Sequence, residues 1–223
     1  MSGGASNFVE SVDGVFLFSI IMSVFFLVLI TGMMLIFVVK YSRKRNPKAV
    51  NVHSNTVLEV TWTIIPTILV LILFWYGWVG YIDMSDIPED AMTVDVTAQM
   101  WKWQFKYDDG TVTDSLYVPV AQPVVLNLIS NDVNHAFFIP DFRVKKDIYP
   151  GLERKIWFIP NYTGEFNVFC AEYCGMNHSY MLTKIFVLSQ ADFDNWSRNT
   201  NNEVLESTNG GNEIEVEETK TVN

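Results

Sequence analysis

The chain has 223 residues, with 15 Lys and Arg against 25 Asp and Glu, for a formal net charge of −10. The charge divides near residue 85, with five basic against four acidic residues before it and ten against 21 after it. Such an acidic balance excludes nucleic acid as a partner, because holding phosphates needs clustered Lys and Arg. It favours a basic protein partner, since opposite fields steer encounter.

Residues 1–13 form a short segment carrying Glu10 and Asp13, followed by an uncharged run from Gly14 to Val39. At 1.5 Å per residue this run reaches about 39 Å, more than the ~30 Å of a bilayer's hydrocarbon core, so it predicts a tilted transmembrane helix. A secretory signal would have basic residues in front of a shorter run. Here the basic residues Lys40, Arg43, Lys44, Arg45 and Lys48 come after it.

A second uncharged run covers residues 60–82, with Trp62, Trp75, Tyr76, Trp78 and Tyr81 towards its ends, where amphipathic rings favour the membrane interface. Pro66 falls in the first two turns of that span, where a missing backbone donor is cheapest. The basic connector makes 40–59 a cytoplasmic loop and places both termini, with everything beyond residue 82, outside. Glu59, at the start of the second span, reads as an interfacial carboxylate helped by the positive end of its helix. A proton-entering group is the alternative. His53 reads as a residue of the connector.

Residues 83–92 form a polar linker. Period-two alternation then begins with Thr93-Val94-Asp95-Val96 and continues through Trp101-Lys102-Trp103-Gln104-Phe105-Lys106-Tyr107, where aromatic and polar residues alternate. Asp108-Asp109-Gly110-Thr111 signals a hairpin turn. Further strands are predicted at 115–120, 123–129, 136–140, 154–160, 164–169 and 182–188. Short strands at this spacing predict an antiparallel sandwich or barrel over 93–197. The acidic tail, 198–223, carries too little apolar surface to offset ordering entropy and is expected to be disordered.

The chain's only two cysteines lie in Cys170-Ala-Glu172-Tyr-Cys174-Gly-Met-Asn-His178-Ser-Tyr-Met181, together with one of its three histidines. Thiolate, imidazole and thioether are the donors soft copper prefers. A disulfide would leave the His and Met unexplained, and a zinc site would not recruit Met or use these spacings. Buried unreacted thiols would not cluster in this way. His135 comes after another strand and the turn Ser130-Asn131-Asp132-Val133-Asn134, as a remote ligand joined to a loop between strands would. Two thiolates and two histidines suit two copper ions bridged by both sulfurs, with Met181 as a weak ligand, which is a chemistry for moving electrons. No nucleophilic triad, phosphate loop or catalytic carboxylate pair competes with it.

In this loop and in two further stretches the chain resembles subunit II of the haem–copper cytochrome c oxidases, over most of its length excluding the tail. The further stretches are Leu58-Glu59-Val-Thr-Trp62-Thr-Ile-Ile-Pro66 and Gln99-Met-Trp101-Lys-Trp103-Gln-Phe105-Lys-Tyr107. The resemblance implies an α+β membrane protein: an N-terminal two-helix transmembrane hairpin over 14–82 followed by an all-β cupredoxin-like sandwich. It implies a dinuclear copper centre, CuA, bridged by Cys170 and Cys174. His135 and His178 would each cap one ion, and Met181 and the Glu172 main-chain carbonyl would bind weakly. The Glu172 side chain would reach a Mg²⁺ shared with the catalytic subunit, as hard oxygen suits that ion. Trp101 would be the surface aromatic through which electrons come in, and Glu59 the cytoplasmic mouth of a proton channel. Lys102 departs from the pattern, standing where an aromatic is common between the two tryptophans, and Leu182 replaces a proline common after the methionine.

The expected partners are the catalytic haem–copper subunit I, further oxidase subunits, membrane lipid and a c-type cytochrome donor, with haem only in partner subunits. No Cys-x-x-Cys-His occurs, so the donor is expected to be a separate protein. The expected function is to take single electrons outside a bacterial inner membrane and pass them to haem, for reduction of oxygen to water coupled to proton pumping. Rival readings are a copper-free quinol oxidase subunit, a subunit serving nitric oxide reduction, and a membrane-tethered copper carrier or assembly protein.

Overall fold

A computed structural model describes residues 4–48, 50, 51 and 53–200. The chain forms two compact units, one of residues 11–83 and one combining the N-terminal residues up to Glu10 with everything from Met84 onward.

The first unit holds two helices, α1 (Val9–Lys40) and α2 (Thr56–Ser85). Both are long and apolar enough to cross a membrane, and their large apolar side chains are exposed along their length. Both extend beyond the expected spans, because helix geometry needs capping groups rather than an apolar edge. Before α2, Asn55 Oδ1 accepts the N–H of Leu58, satisfying one of the donors a helix start leaves free. This earlier start moves Pro66 into the helix interior, not the first two turns as expected. Thr61, Thr63 and Thr67 donate their hydroxyls to the carbonyls of Val57, Glu59 and Thr63 around it. Hydroxyls of this kind are among the groups that make proline tolerable in a membrane helix.

The second unit is a sandwich of two five-stranded sheets. One has the order β3 (Val112–Thr113), β2 (Lys102–Tyr107), β1 (Met92–Gln99), β5 (Val124–Ser130), β8 (Arg154–Phe158). The other has the order β4 (Leu116–Pro119), β10 (Leu182–Leu188), β9 (Gly164–Cys170), β6 (His135–Ile139), β7 (Val144–Ile148). All six strands expected after residue 114 are present, with ends shifted by up to two residues. The expectation of an antiparallel arrangement is corrected at two pairings, because β1 runs parallel to β5 and β4 to β10. Alternation along a single strand encodes which face is buried but not the direction of its neighbour. The fully buried Phe105, Phe137, Phe142, Phe158, Leu126, Leu128, Ile139 and Ile185 fill the space between the sheets. Met181 and His135 are as deeply buried as these apolar residues.

Two features had no sequence signal. The N-terminal residues belong to the sandwich unit. Ser6 Oγ donates to the Phe142 carbonyl at 2.7 Å, Asn7 N–H to the Ile159 carbonyl at 3.1 Å, and the Ile159 N–H to Asn7 Oδ1 at 2.8 Å. Phe8, 4% exposed, meets Trp157 edge to face at 4.9 Å, and the Trp157 indole N–H donates to the Met84 carbonyl. The chain is also helical over 190–200, where Trp196 stacks on Tyr117 at 4.5 Å and meets Tyr107 at 5.1 Å. That helix runs three residues past the boundary expected at 198, and the rest of the expected tail, 201–223, lies outside the described residues.

Candidate metal centre

Strand register assembles the site. Phe137 of β6 lies opposite Cys170 at the end of β9, so His135, two residues before Phe137 on the same face, comes beside that cysteine. The main chain closes the loop: the Cys170 N–H donates to the Met181 carbonyl, and the Ala171 N–H to the Ala136 carbonyl. A single 3-10 turn over His178–Tyr180 then directs His178 and Met181 back towards the cysteines. The loop's other large side chains face outward, with Tyr173 at 75%, Met176 at 87% and Tyr180 at 79% exposure.

The inward groups meet at short range. Cys170 Sγ and Cys174 Sγ are 3.7 Å apart. His135 Nδ1 lies 3.7 Å from the Cys170 sulfur, and His178 Nδ1 lies 3.5 Å from the Cys174 sulfur. Met181 Sδ is 3.7 Å from Cys174 Sγ, and the Glu172 carbonyl accepts from the Cys170 thiol at 3.3 Å. The six positions expected as ligands are thus brought together. Burial pushes the Cys174 thiol up to about 12, helped by its hydrogen bond with Cys170 and by that group's charge. A thiol held so strongly in its neutral form becomes a thiolate when a cation takes the place of its proton. The donor set, with both sulfurs and the His135 nitrogen in one buried cluster and the half-buried His178 nitrogen beside Cys174, therefore fits soft metal ions and copper above all.

The surroundings fix these donors. Trp103, 3% exposed, meets His135 edge-on at 6.3 Å and Phe137 at 5.3 Å, forming one wall. Trp101 is half-buried, and its indole N–H donates to the Cys174 carbonyl at 3.2 Å. Its ring lies over Gly175, which has φ of +115°, and a Cβ there would come within 3.4 Å of the indole. The positive φ is what favours glycine at this position, since a Cβ would make only ordinary contact with the ring. Lys102 points outward beside Trp101. The Glu172 side chain is exposed, while its main-chain carbonyl lies beside the Cys170 thiol. Lys145, paired with Asp147 at 3.0 Å, has its pKa raised chiefly by that partner, with the Glu172 charge adding to the effect. Glu59 lies in the first turn of α2, exposed and in the other unit, while His53 precedes that helix.

Asp132, which lies in no site motif of the sequence, contacts the cluster through His135. Its carboxylate accepts from the Met100 N–H at 2.6 Å, the Val133 N–H at 2.7 Å and His135 Nε2 at 2.8 Å. Burial opposes its charge, but the Met100, His135 and Val133 donors outweigh that and hold it below the usual carboxylate range. Its place in a polar turn three residues before His135 is the available signal.

A two-sheet sandwich with a buried Cys, His and Met loop at its edge, on a chain with two membrane-length helices, defines a membrane-anchored cupredoxin-like protein with a site suited to copper. Residues 67–188 match the family model described as cytochrome c oxidase subunit II, periplasmic domain, and residues 1–77 match that of the transmembrane domain. The chain belongs to the cytochrome c oxidase subunit II family. It is 32% identical over 200 residues to cytochrome c oxidase subunit 2 of Alkalihalophilus pseudofirmus, a match covering 85% of this chain but 58% of that relative. It is 25% identical over 246 residues to the Synechocystis protein of the same name, covering 88% of this chain and 74% of the relative. Its sandwich is similar to the crystal structure of the periplasmic domain of subunit II of cytochrome oxidase from Bradyrhizobium japonicum. That match has 28% identity and a TM-score of 0.50, and it covers 53% of this chain and 99% of the other.

Proposed function

We propose that this chain is the electron-input subunit of a respiratory terminal oxidase and that its loop holds a dinuclear copper centre of the CuA type. The observation that carries this is the pairing of donors: two sulfurs 3.7 Å apart, each with its own imidazole Nδ1 within 3.7 Å. A mononuclear site needs one thiolate, and here a second lies at bridging distance. Cys170, Cys174, His135 and His178 would hold the copper, with Met181 Sδ and the Glu172 carbonyl as weaker donors. When bound, the two-copper cluster accepts and releases a single electron shared between its ions.

The chain's own residues do the rest. The sandwich holds the ligands rigidly, so little reorganisation accompanies a change of charge. Trp101, half-buried against the Cys174 carbonyl, gives an electron a route from the surface to a ligand's main chain. The exposed Glu172 side chain is free to reach a Mg²⁺ at the contact with subunit I, while its carbonyl stays with Cys170. Glu59 serves as the cytoplasmic mouth of a proton path into that subunit. Residues 4–8 fold as part of the sandwich unit, which supports placing the N-terminus on the outer, periplasmic face with that unit. A c-type cytochrome supplies the electrons, haem in subunit I receives them, and oxygen is reduced there with coupled proton pumping.

Copper analysis of the purified full chain tests this reading. The expected result is two coppers per chain, held against a chelator and cycling reversibly between oxidation states. One copper per chain, or ready loss to the chelator, contradicts it and favours a carrier.

A further inference from the structure

We propose that Asp132 is a positioning residue that ties the metal ligand His135 to the turn carrying Trp101. The Asp132 carboxylate can only accept, so His135 donates to its Oδ1 through Nε2–H and leaves Nδ1 facing the Cys170 sulfur. The other carboxylate oxygen, Oδ2, accepts the main-chain N–H of Met100, the residue before Trp101. His135 is fully buried, and the Asp132 side chain is 19% exposed. Trp101 is therefore held from two directions, each leading to a ligand. Its indole N–H is bound to the Cys174 carbonyl, and the main-chain N–H of the preceding Met100 is bound through Asp132 to His135. This extends the function proposed above by naming what keeps the electron's way in and one copper ligand in fixed relation.

The chemistry of the carboxylate makes the proposal specific. Met100 N–H and His135 Nε2–H are both donors and lie on different oxygens of the carboxylate, Oδ2 and Oδ1, the latter also accepting the Val133 N–H. A carboxylate supplies two acceptors, whereas an amide of the same shape supplies one acceptor and one donor. Asp132→Asn can therefore satisfy either the histidine or the Met100 N–H, and it must turn an NH₂ towards the other. Partners that orient a ligand histidine in this way also raise its basicity, and their loss costs about 10- to 100-fold in metal affinity or activity.

The test compares the wild type with Asp132→Asn as full chains in detergent. In the metal-free proteins, hydrogen exchange by nuclear magnetic resonance reads the Met100 amide and the His135 Nε2–H. In the copper-loaded proteins, pulsed electron paramagnetic resonance reads the two histidine nitrogens, and a redox titration reads the potential. The proposal expects at least one of the two exchangeable protons to lose protection, a changed coupling for the His135 nitrogen alone, a shifted potential and copper binding weakened by about 10-fold or more. Unchanged exchange with an unchanged nitrogen coupling overturns it. Equal changes at both histidines also overturn it, since they indicate general loosening of the fold. If the wild type binds no copper, the proposed function fails, while the metal-free exchange still decides the role of Asp132.

Discussion

Phe8→Ala tests whether the N-terminal residues are part of the sandwich or a tail beside it. The Phe8 side chain is 4% exposed and meets Trp157 edge to face at 4.9 Å. Truncating a buried phenylalanine costs about 3–5 kcal/mol. Phe8 packs at the rim, next to a Trp157 that is itself 8% exposed, so the lower end of that range, about 3 kcal/mol, applies. For a domain of this size the loss lowers the melting temperature by roughly 10 °C. Thermal unfolding of the full chain in detergent, followed by near-ultraviolet circular dichroism, reads the shift. A double-mutant cycle with Trp157→Leu isolates the ring pair and should give a coupling of about 0.5–1.5 kcal/mol. A Phe8→Ala variant within ~0.5 kcal/mol of the wild type, the range of an ordinary surface substitution, would refute the reasoning.

Three further predictions concern the sandwich and its site. Tyr107 OH donates to the Tyr117 carbonyl at 3.1 Å and accepts the Tyr117 N–H at 2.7 Å, so Tyr107→Phe should cost about 2 kcal/mol in chemical denaturation. Trp101→Ala should slow reduction of the copper by an external donor while copper content stays intact. Loss of copper with no separate effect on the rate would make Trp101 a packing residue. In the metal-free protein, Cys174 has its pKa raised from an ordinary 9.0 to about 12, so the fold favours the neutral thiol. Its contribution to stability is complete below about pH 9 and is lost as pH rises towards 12. The denaturation midpoint of the wild type should therefore fall more steeply over that window than that of Cys174→Ala, and parallel curves would contradict this.

The metal loop was legible because its signal is local: Cys170, Cys174, His178 and Met181 lie within twelve residues, and their types name the metal class. His135 was legible as a remote histidine after a strand, but its closeness to Cys170 depends on the β6–β9 register, which only the folded sheet supplies. The strands could be read from alternation. The two parallel pairings could not, since the same alternation serves either direction. β7 was missed because Val144-Lys-Lys-Asp-Ile148 buries only its two ends. The contacts of Ser6, Asn7 and Phe8 span some 135 to 155 residues of sequence, and nothing in so short a segment announces its partner. Asp132 went unread for a related reason: an Asp in a polar turn is an ordinary turn residue until the geometry shows His135 and Met100 on its two oxygens.

Electron paramagnetic resonance of the copper-loaded full chain, set beside Cys174→Ser, tests the proposed dinuclear centre most directly. The two sulfurs at bridging distance predict a hyperfine pattern from one unpaired electron shared by two copper nuclei, and its loss in Cys174→Ser. A wild-type pattern from a single copper nucleus, or a shared-electron signal that survives removal of the Cys174 sulfur, would contradict the account.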